Sequence, residues 1–502
     1  MIALDSKPVD HLVSTIFIIT ASAVVTLAVL IAGITCNQAF ALALTLIVLT
    51  LWWYNRVNGL ITGLIFFVTK AFFVRVAFAF DYVMSTTGRD LLSITPAIVL
   101  ASLILFQLFE HYSSGERILS GRTRLLLGSF SIFCVLSVLN PANTVINGLA
   151  GLERNILPNM LIFLTASFIF RSQSDLQKLV KVMMLVGVAS CLYAVGQYIN
   201  GAYPWELPWL QQVEFKDSFR SLTVGLRGIE LRVFSLFYGY MDFTFTNVLI
   251  FAMAISCGRS WSLGWRRVRV VYVVAWFIIL LLTLERMPML MSLVAAVVTY
   301  YYQGNALRRR VVIGSTAVVV SVLIIGLNLS GSYLKSTGVA KLIRIAELAN
   351  PFAAGSIQDR VNTNWTPTLD LIETHPLGVG IGYGSYTIAS GSVASTGLWM
   401  GPHNELLQKA LETGLPGAML FLLLLISMIQ DARTANGSGG ILRLFGSGML
   451  ATSVAFWICA IVNLPFCGAP GLAYWTFAGA MIGVLSRRQF PAKLPSRLHE
   501  ST

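Results

Sequence analysis

Apolar runs of membrane-crossing length follow one another along most of this chain. A spanning helix needs ~20 mostly apolar residues. About fourteen stretches approach that length, near 14–35, 38–54, 60–80, 92–110, 125–140, 156–170, 178–199, 235–257, 270–285, 287–303, 311–328, 404–430, 444–464 and 469–486. In a hydrocarbon layer every backbone N–H and C=O must find its partner within the chain, so such runs fold as helices. Composition agrees: of 502 residues, 56% are hydrophobic and 11% charged, against about 25% charged in soluble domains. Disorder is excluded too, since it needs few apolar residues and many charges. The expected fold class is all-α, a polytopic integral membrane protein with 12–14 transmembrane helices and one long outer loop. The third run carries Lys70 and Arg75 and the fifth and sixth are short, which sets the lower bound. The start, MIALDSKPVDHLVST, is polar and the first apolar run is long, so no cleavable signal peptide is expected.

The formal charge of +13 suggests nucleic acid on a soluble protein. Here it first reports orientation, because short cytoplasmic loops collect Lys and Arg. With the N-terminus inside and the spans alternating, inner segments hold 21 of the 35 basic residues, among them Arg122, Arg124, Arg171, Arg266, Arg267, Arg269, Arg433, Arg487 and Arg488. Outer segments hold 11, including Arg154, Arg220, Arg227, Arg232, Arg286 and Arg360. This topology divides the chain into 1–328, with helices 1–11 and an outer loop near 200–235; 329–403, a large outer loop; and 404–502, with helices 12–14 and a basic inner tail. Loops above ~15 residues without their own fold are usually functional. Within the larger one, GVAKLIRIAEL sets Lys341, Arg344 and Glu347 opposite Leu342, Ile345 and Leu348, a pattern that suits an interfacial helix or a helix packed on its own loop. The six cysteines form no CxxC pair and no His-rich cluster, which argues against a zinc site or a disulfide scaffold.

The residues able to carry chemistry gather where the long loop meets the next span. His403 and Asn404 stand at the start of HNELLQKALETGLPG. Histidine titrates near neutral pH and is the commonest general acid or base. The full spacing is H-N-x9-G-x-x-G, ending on Gly414 and Gly417. Upstream lie Arg360, Trp365 and THPLGVGIGYGSY. This combination resembles the signature of the bacterial O-antigen ligase and O-antigen polymerase family, strongly over about 359–424 and more weakly, through its many spans and late outer loop, over the rest. The resemblance implies a membrane glycosyltransferase of the GT-C type in the bacterial inner membrane, with its site facing the periplasm. The implied donor is a glycan on undecaprenyl diphosphate. The implied acceptor is lipid A–core or another lipid-linked glycan. No nucleotide sugar, ATP, cofactor or metal is implied, and the partners are membrane lipids rather than nucleic acid.

A diphosphate leaving group gains negative charge as its glycosyl bond breaks, and planar, always-charged guanidinium groups suit it. Arg232, expected to open the eighth span, and Arg286, expected to open the tenth, stand where the family resemblance places essential arginines; Arg360 is the third. In the turn before the tenth span Glu285 replaces the family's usual Ser. His403 is the expected catalytic base, with Asn404 capping the helix or orienting the ring, and Gly414, Gly417 and Trp365 supporting. Lys70 and Arg75 are costly in a span unless paired, and Asp81 is the near partner in sequence. The glycines of GVGIGYG lack the Lys-Ser/Thr of a Walker loop and the flanking strand of a dinucleotide site, so they read as a tight turn. His375 is read as structural, and Trp205, Trp209, Trp365 and Trp399 as interfacial anchors able to stack on sugars. A lipid-linked oligosaccharide flippase or other multi-span transporter is the alternative. Its polar sites would lie near the midplane in broken helices. A peptidoglycan-type polymerase would rest on Asp359 or Asp370.

Overall fold

The computed structural model describes residues 54–80, 119–207, 233–283, 285–305, 360–383 and 401–489, with a few isolated positions between them. It is helical throughout, with no strand among the described residues. In chain order the helices are α1 (Arg56–Phe80), α2 (Gly121–Val138), α3 (Val145–Gly151), α4 (Leu157–Ile169), α5 (Gln173–Asn200), α6 (Tyr240–Cys257), α7 (Leu263–Thr283), α8 (Arg286–Gln303), α9 (Thr366–Thr374), α10 (Glu405–Gly437), α11 (Gly440–Ala460) and α12 (Gly468–Gln489). Seven of them, α1, α2, α5, α6, α10, α11 and α12, are long and apolar enough to cross a membrane. In α7 the first turns carry Arg266, Arg267 and Arg269, and α4 has 13 residues. The predicted runs 14–35 and 92–110 lie outside the described residues, as do nearly all of 38–54 and 311–328.

Polar residues start the helices where an orphan N–H needs a partner. Ser120 and Thr144 cap α2 and α3. Ser172 and Asp175 form a reciprocal capping box at α5. The run near 235–257 becomes a helix only from Tyr240. Its apolar start, Val233 to Phe237, is a buried turn instead.

Contacts between helix ends gather the described residues at two ends of the bundle. At the end rich in basic residues, Arg122 on α2 pairs with Asp431 on α10 at 3.2 Å. There Arg487 of α12 donates to the carbonyls of Phe168 and Phe170, which α4 leaves unbonded at its end. α12 and α4 approach closely because Gly479 and Gly483 face the Phe163 and Ser167 carbonyls, where a side chain would not fit. At the opposite end gather the α2–α4 connection, the turn after α5, and residues 360–383, 401–404 and 461–467. That end holds the sequence-predicted chemistry.

Candidate active site

Three separate segments converge on the start of α10. Asn404 is its N-cap: Oδ1 accepts from the Leu407 N–H at 3.0 Å. Its Nδ2 donates to the Ile461 carbonyl at 2.8 Å, on the turn between α11 and α12. The next carbonyl of that turn, Val462, accepts from the Arg360 guanidinium. Arg360 immediately precedes a π-helical turn, Val361–Trp365, that leads into α9. From this turn Trp365 Nε1–H donates to the Pro402 carbonyl at 2.8 Å. His403 is thus fixed between Pro402, held by Trp365, and Asn404, held by Ile461.

His403 itself has φ +48°, the left-handed region that a residue with a Cβ seldom adopts. Such strain persists only where the surroundings enforce it, and it clusters at functional sites. Burial, and then the neighbouring Arg360 cation, lower the His403 pKa from 6.5 to about 4. The imidazole is therefore neutral at pH 7, with one ring nitrogen free to accept a proton.

The glycine-rich turn and the G-x-x-G segment form one structure. Gly414 interrupts α10 with φ 75° and ψ 172°, and Pro416 follows. The break withdraws the Leu411 carbonyl and the Leu415 N–H from helical pairing. The turn supplies both partners: Val379 N–H donates to Leu411 O at 2.8 Å, and Leu415 N–H donates to Pro376 O at 2.9 Å. Across the turn, Asn140 and Asn143 donate to the carbonyls of Gly378 and Ile381 at 2.9 and 2.8 Å. The turn is a wedge between α10 and the α2–α3 connection, not a phosphate cradle.

The structure brings together His403, Asn404, Arg360 and Trp365, and lays Gly414 and Gly417 two to four turns along the same helix. Arg286 is the first residue of α8, as expected, and is partly buried. α8 runs antiparallel to α11: Gln303 at its end meets Ser256, whose hydroxyl reaches the Leu444 carbonyl near the start of α11. Arg286 therefore lies at the same end of the bundle as the Ile461–Val462 turn. Arg232 lies outside the described residues. It does not open the eighth span, because α6 starts eight residues later, at Tyr240, after the buried turn.

Two features escaped the sequence reading. Arg75 pairs with Glu206 at 3.2 Å, both side chains fully buried; Asp81, the partner suggested by sequence, lies outside the described residues. On the first turns of α10, Glu405, Lys409 and Glu412 are all buried. Their i, i+4, i+7 spacing puts them on one helix face, and that spacing was the available signal. Among the described residues no group of three His, Cys, Asp or Glu side chains is placed to hold a metal ion.

Fold and site together define an all-α, multi-helix membrane protein whose polar constellation sits at one end of the bundle. Residues 271–422 match the family model described as O-antigen ligase. The match spans Arg286, Arg360, Trp365, His403, Asn404, Gly414 and Gly417. This similarity agrees with the resemblance read from the motifs and supports a membrane glycosyltransferase-like role in O-antigen biosynthesis. No curated protein matches the chain.

Proposed function

We propose that this protein transfers a glycan from undecaprenyl diphosphate to an acceptor hydroxyl at the periplasmic face of the inner membrane. The acceptor is lipid A–core or a growing lipid-linked polysaccharide. His403 takes the hydroxyl proton as that oxygen attacks the anomeric carbon. The bond from that carbon to the phosphate oxygen breaks in the same step, inverting the configuration, and undecaprenyl diphosphate leaves. Arg232, Arg286 and Arg360 hold the diphosphate, and no metal takes part.

The observation that carries this reading is the position of His403, fixed between Pro402 and Asn404 close to Arg360; burial and that cation favour its neutral form. A neutral imidazole is the form a general base needs. A diphosphate bound next to Arg360 offsets the cation that depresses His403, so the ring becomes more basic when donor is present. Base strength is thereby tied to donor occupancy. The test is mass analysis of cell-surface glycans in a deletion strain complemented with wild type or His403→Ala. The expected result is loss of the transferred glycan with normal membrane insertion. Single repeats left on core mark a polymerase, and long chains left on undecaprenyl diphosphate mark a ligase. Normal surface glycan from the variant refutes the assignment.

A further inference from the structure

The α11–α12 turn holds two site residues by bare carbonyls, Ile461 to Asn404 and Val462 to Arg360. A turn that serves as a template must itself be fixed. Its far end, Phe466–Cys467, is gripped by the side chain next to Asn404. Glu405 Oε2 accepts from the Phe466 N–H at 3.3 Å, and Oε1 from the Cys467 thiol at 3.4 Å. Asn159 of α4 donates to the Phe466 carbonyl at 3.0 Å. The Glu405 carboxylate is fully buried, and Lys409, one turn on and also buried, neutralises it at 3.4 Å. Lys409 also stands 3.8 Å from the Cys467 sulfur and over the Phe421 ring.

A buried ion pair is weak evidence for stability, because desolvation offsets much of the attraction. This one has a geometric consequence that an apolar pair of equal volume lacks: it bonds a backbone N–H four residues from the Val462 carbonyl. We propose that Glu405, neutralised by Lys409, is a positioning residue of the reaction site. By holding the Phe466–Cys467 end of the turn it sets the two carbonyls that keep Asn404 and Arg360 beside His403. The inference rests on the glycosyl-transfer reading above for its effect on rate, but not for its effect on geometry.

The experiment compares two double variants of the full-length protein in detergent. Glu405→Gln/Lys409→Met removes both charges and keeps an acceptor for the Phe466 N–H. Glu405→Leu/Lys409→Met removes the charges and the acceptor. Neither leaves Glu405 or Lys409 charged without the other; buried Glu412 loses its cationic neighbour in both alike, so the comparison between them is unaffected, and folding is checked by melting. The first readout is transfer from lipid-linked glycan extracted from the deletion strain. The second is NMR titration of histidine-labelled protein, which has five histidines, with His403→Ala identifying the resonance. The Leu variant is expected to lose about 10- to 100-fold in kcat with little change in KM, the scale of a misplacement near 1 Å. Its His403 is expected to titrate higher than in wild type, as Arg360 is released. The Gln variant should recover at least tenfold in kcat over the Leu variant, with a titration close to wild type. Equal losses in both variants, or wild-type behaviour of the Leu variant in both readouts, overturn the proposal. If His403→Ala keeps full activity the glycosyl-transfer reading fails, while the titration still decides the role of Glu405.

Discussion

Arg75 and Glu206 form a fully buried ion pair 3.2 Å long that joins the turn after α5 to the turn before α6. Glu206, just after α5, also accepts from Tyr193, Gln197 and the Tyr203 N–H at 2.9 to 3.0 Å. Arg75 donates to the Ser235 carbonyl at 2.5 Å and lies over the Phe234 ring. Gln197 closes the network by accepting from the Ser235 N–H at 2.7 Å. Ser235 takes a left-handed φ of +54° to fit.

Removing one partner leaves the other charge buried, a cost of about 3–5 kcal/mol, whereas removing both is often close to neutral. Arg75→Met and Glu206→Gln should therefore each melt well below wild type in detergent, and the double variant should melt above either single. Additive losses in melting temperature would show that the two charges do not depend on each other.

The neutral His403 sets a pH signature. The free-enzyme acid limb of kcat/KM reports the base before substrate binds, so it should lie near pH 4 rather than near the 6.5 of an ordinary histidine. Burial is the larger cause of the shift and Arg360 the second. Arg360→Gln should thus lower the rate and move the limb upward only part of the way to 6.5. The sign for stability follows from proton counts. Between pH 6.5 and about 4 the unfolded chain binds a proton at His403 that the folded chain does not. The His403 contribution to stability is therefore complete above about 6.5 and declines as pH falls through that window. Initial rates measured from pH 4 to 8 provide the check. A limb that stays in place in Arg360→Gln contradicts the electrostatic coupling.

How much of this was readable in advance depends on where each partner sits in the chain. The H-N-x9-G-x-x-G spacing and the Asn404 cap are local, and both were legible. The exchange of Leu411 and Leu415 partners with the glycine turn is not, because it joins segments more than thirty residues apart that are separately unremarkable in sequence. Local proximity suggested Asp81, outside the described residues, for Arg75; the Glu206 partner comes from across the bundle and is invisible to spacing rules. The Phe-rich stretch before α6 has the hydropathy of a span, so its buried turn passed as the start of the helix. The spacing of Glu405, Lys409 and Glu412 marks one helix face, but a solvated face has the same spacing; their burial comes from packing, Glu405 and Lys409 against the 466–467 end of the turn and Glu412 near Gly382.

The diphosphate assignment makes a distinct prediction for Arg286 and Arg232. A guanidinium offers a rigid fork to phosphate, whereas an ammonium is a point charge. If these side chains bind developing phosphate charge, Arg286→Lys and Arg232→Lys should each cut transfer by about 100-fold or more, on the scale of losing one charge-stabilising donor. Lipid-linked glycan should accumulate in cells carrying either variant. An arginine that merely lifts its charge to the headgroups is replaceable by lysine. Full transfer by either Lys variant, measured on extracted lipid-linked glycan, would remove that residue from the diphosphate site.

Gly414 and Gly128 contrast a required glycine with a dispensable one. At Gly414 the backbone sits at φ 75° and ψ 172°, and an added Cβ would stand 2.7 Å from the Leu377 Cα and carbonyl oxygen. The conformation alone costs a residue with a side chain about 1–3 kcal/mol. The clash also falls on backbone, which cannot rotate away. Gly128 lies inside α2, where an added Cβ would meet nothing within 4 Å, and there alanine gains about 0.5–1 kcal/mol of helix stability. Gly414→Ala should therefore separate the glycine turn from α10, lowering both melting temperature and transfer, while Gly128→Ala should melt at or above wild type. Gly417→Ala is expected to resemble Gly414→Ala, because its Cβ would stand 2.5 Å from the Thr413 Cβ. Equal melting temperatures for Gly414→Ala and Gly128→Ala would mean that the wedge between α10 and the α2–α3 connection does not depend on the kink.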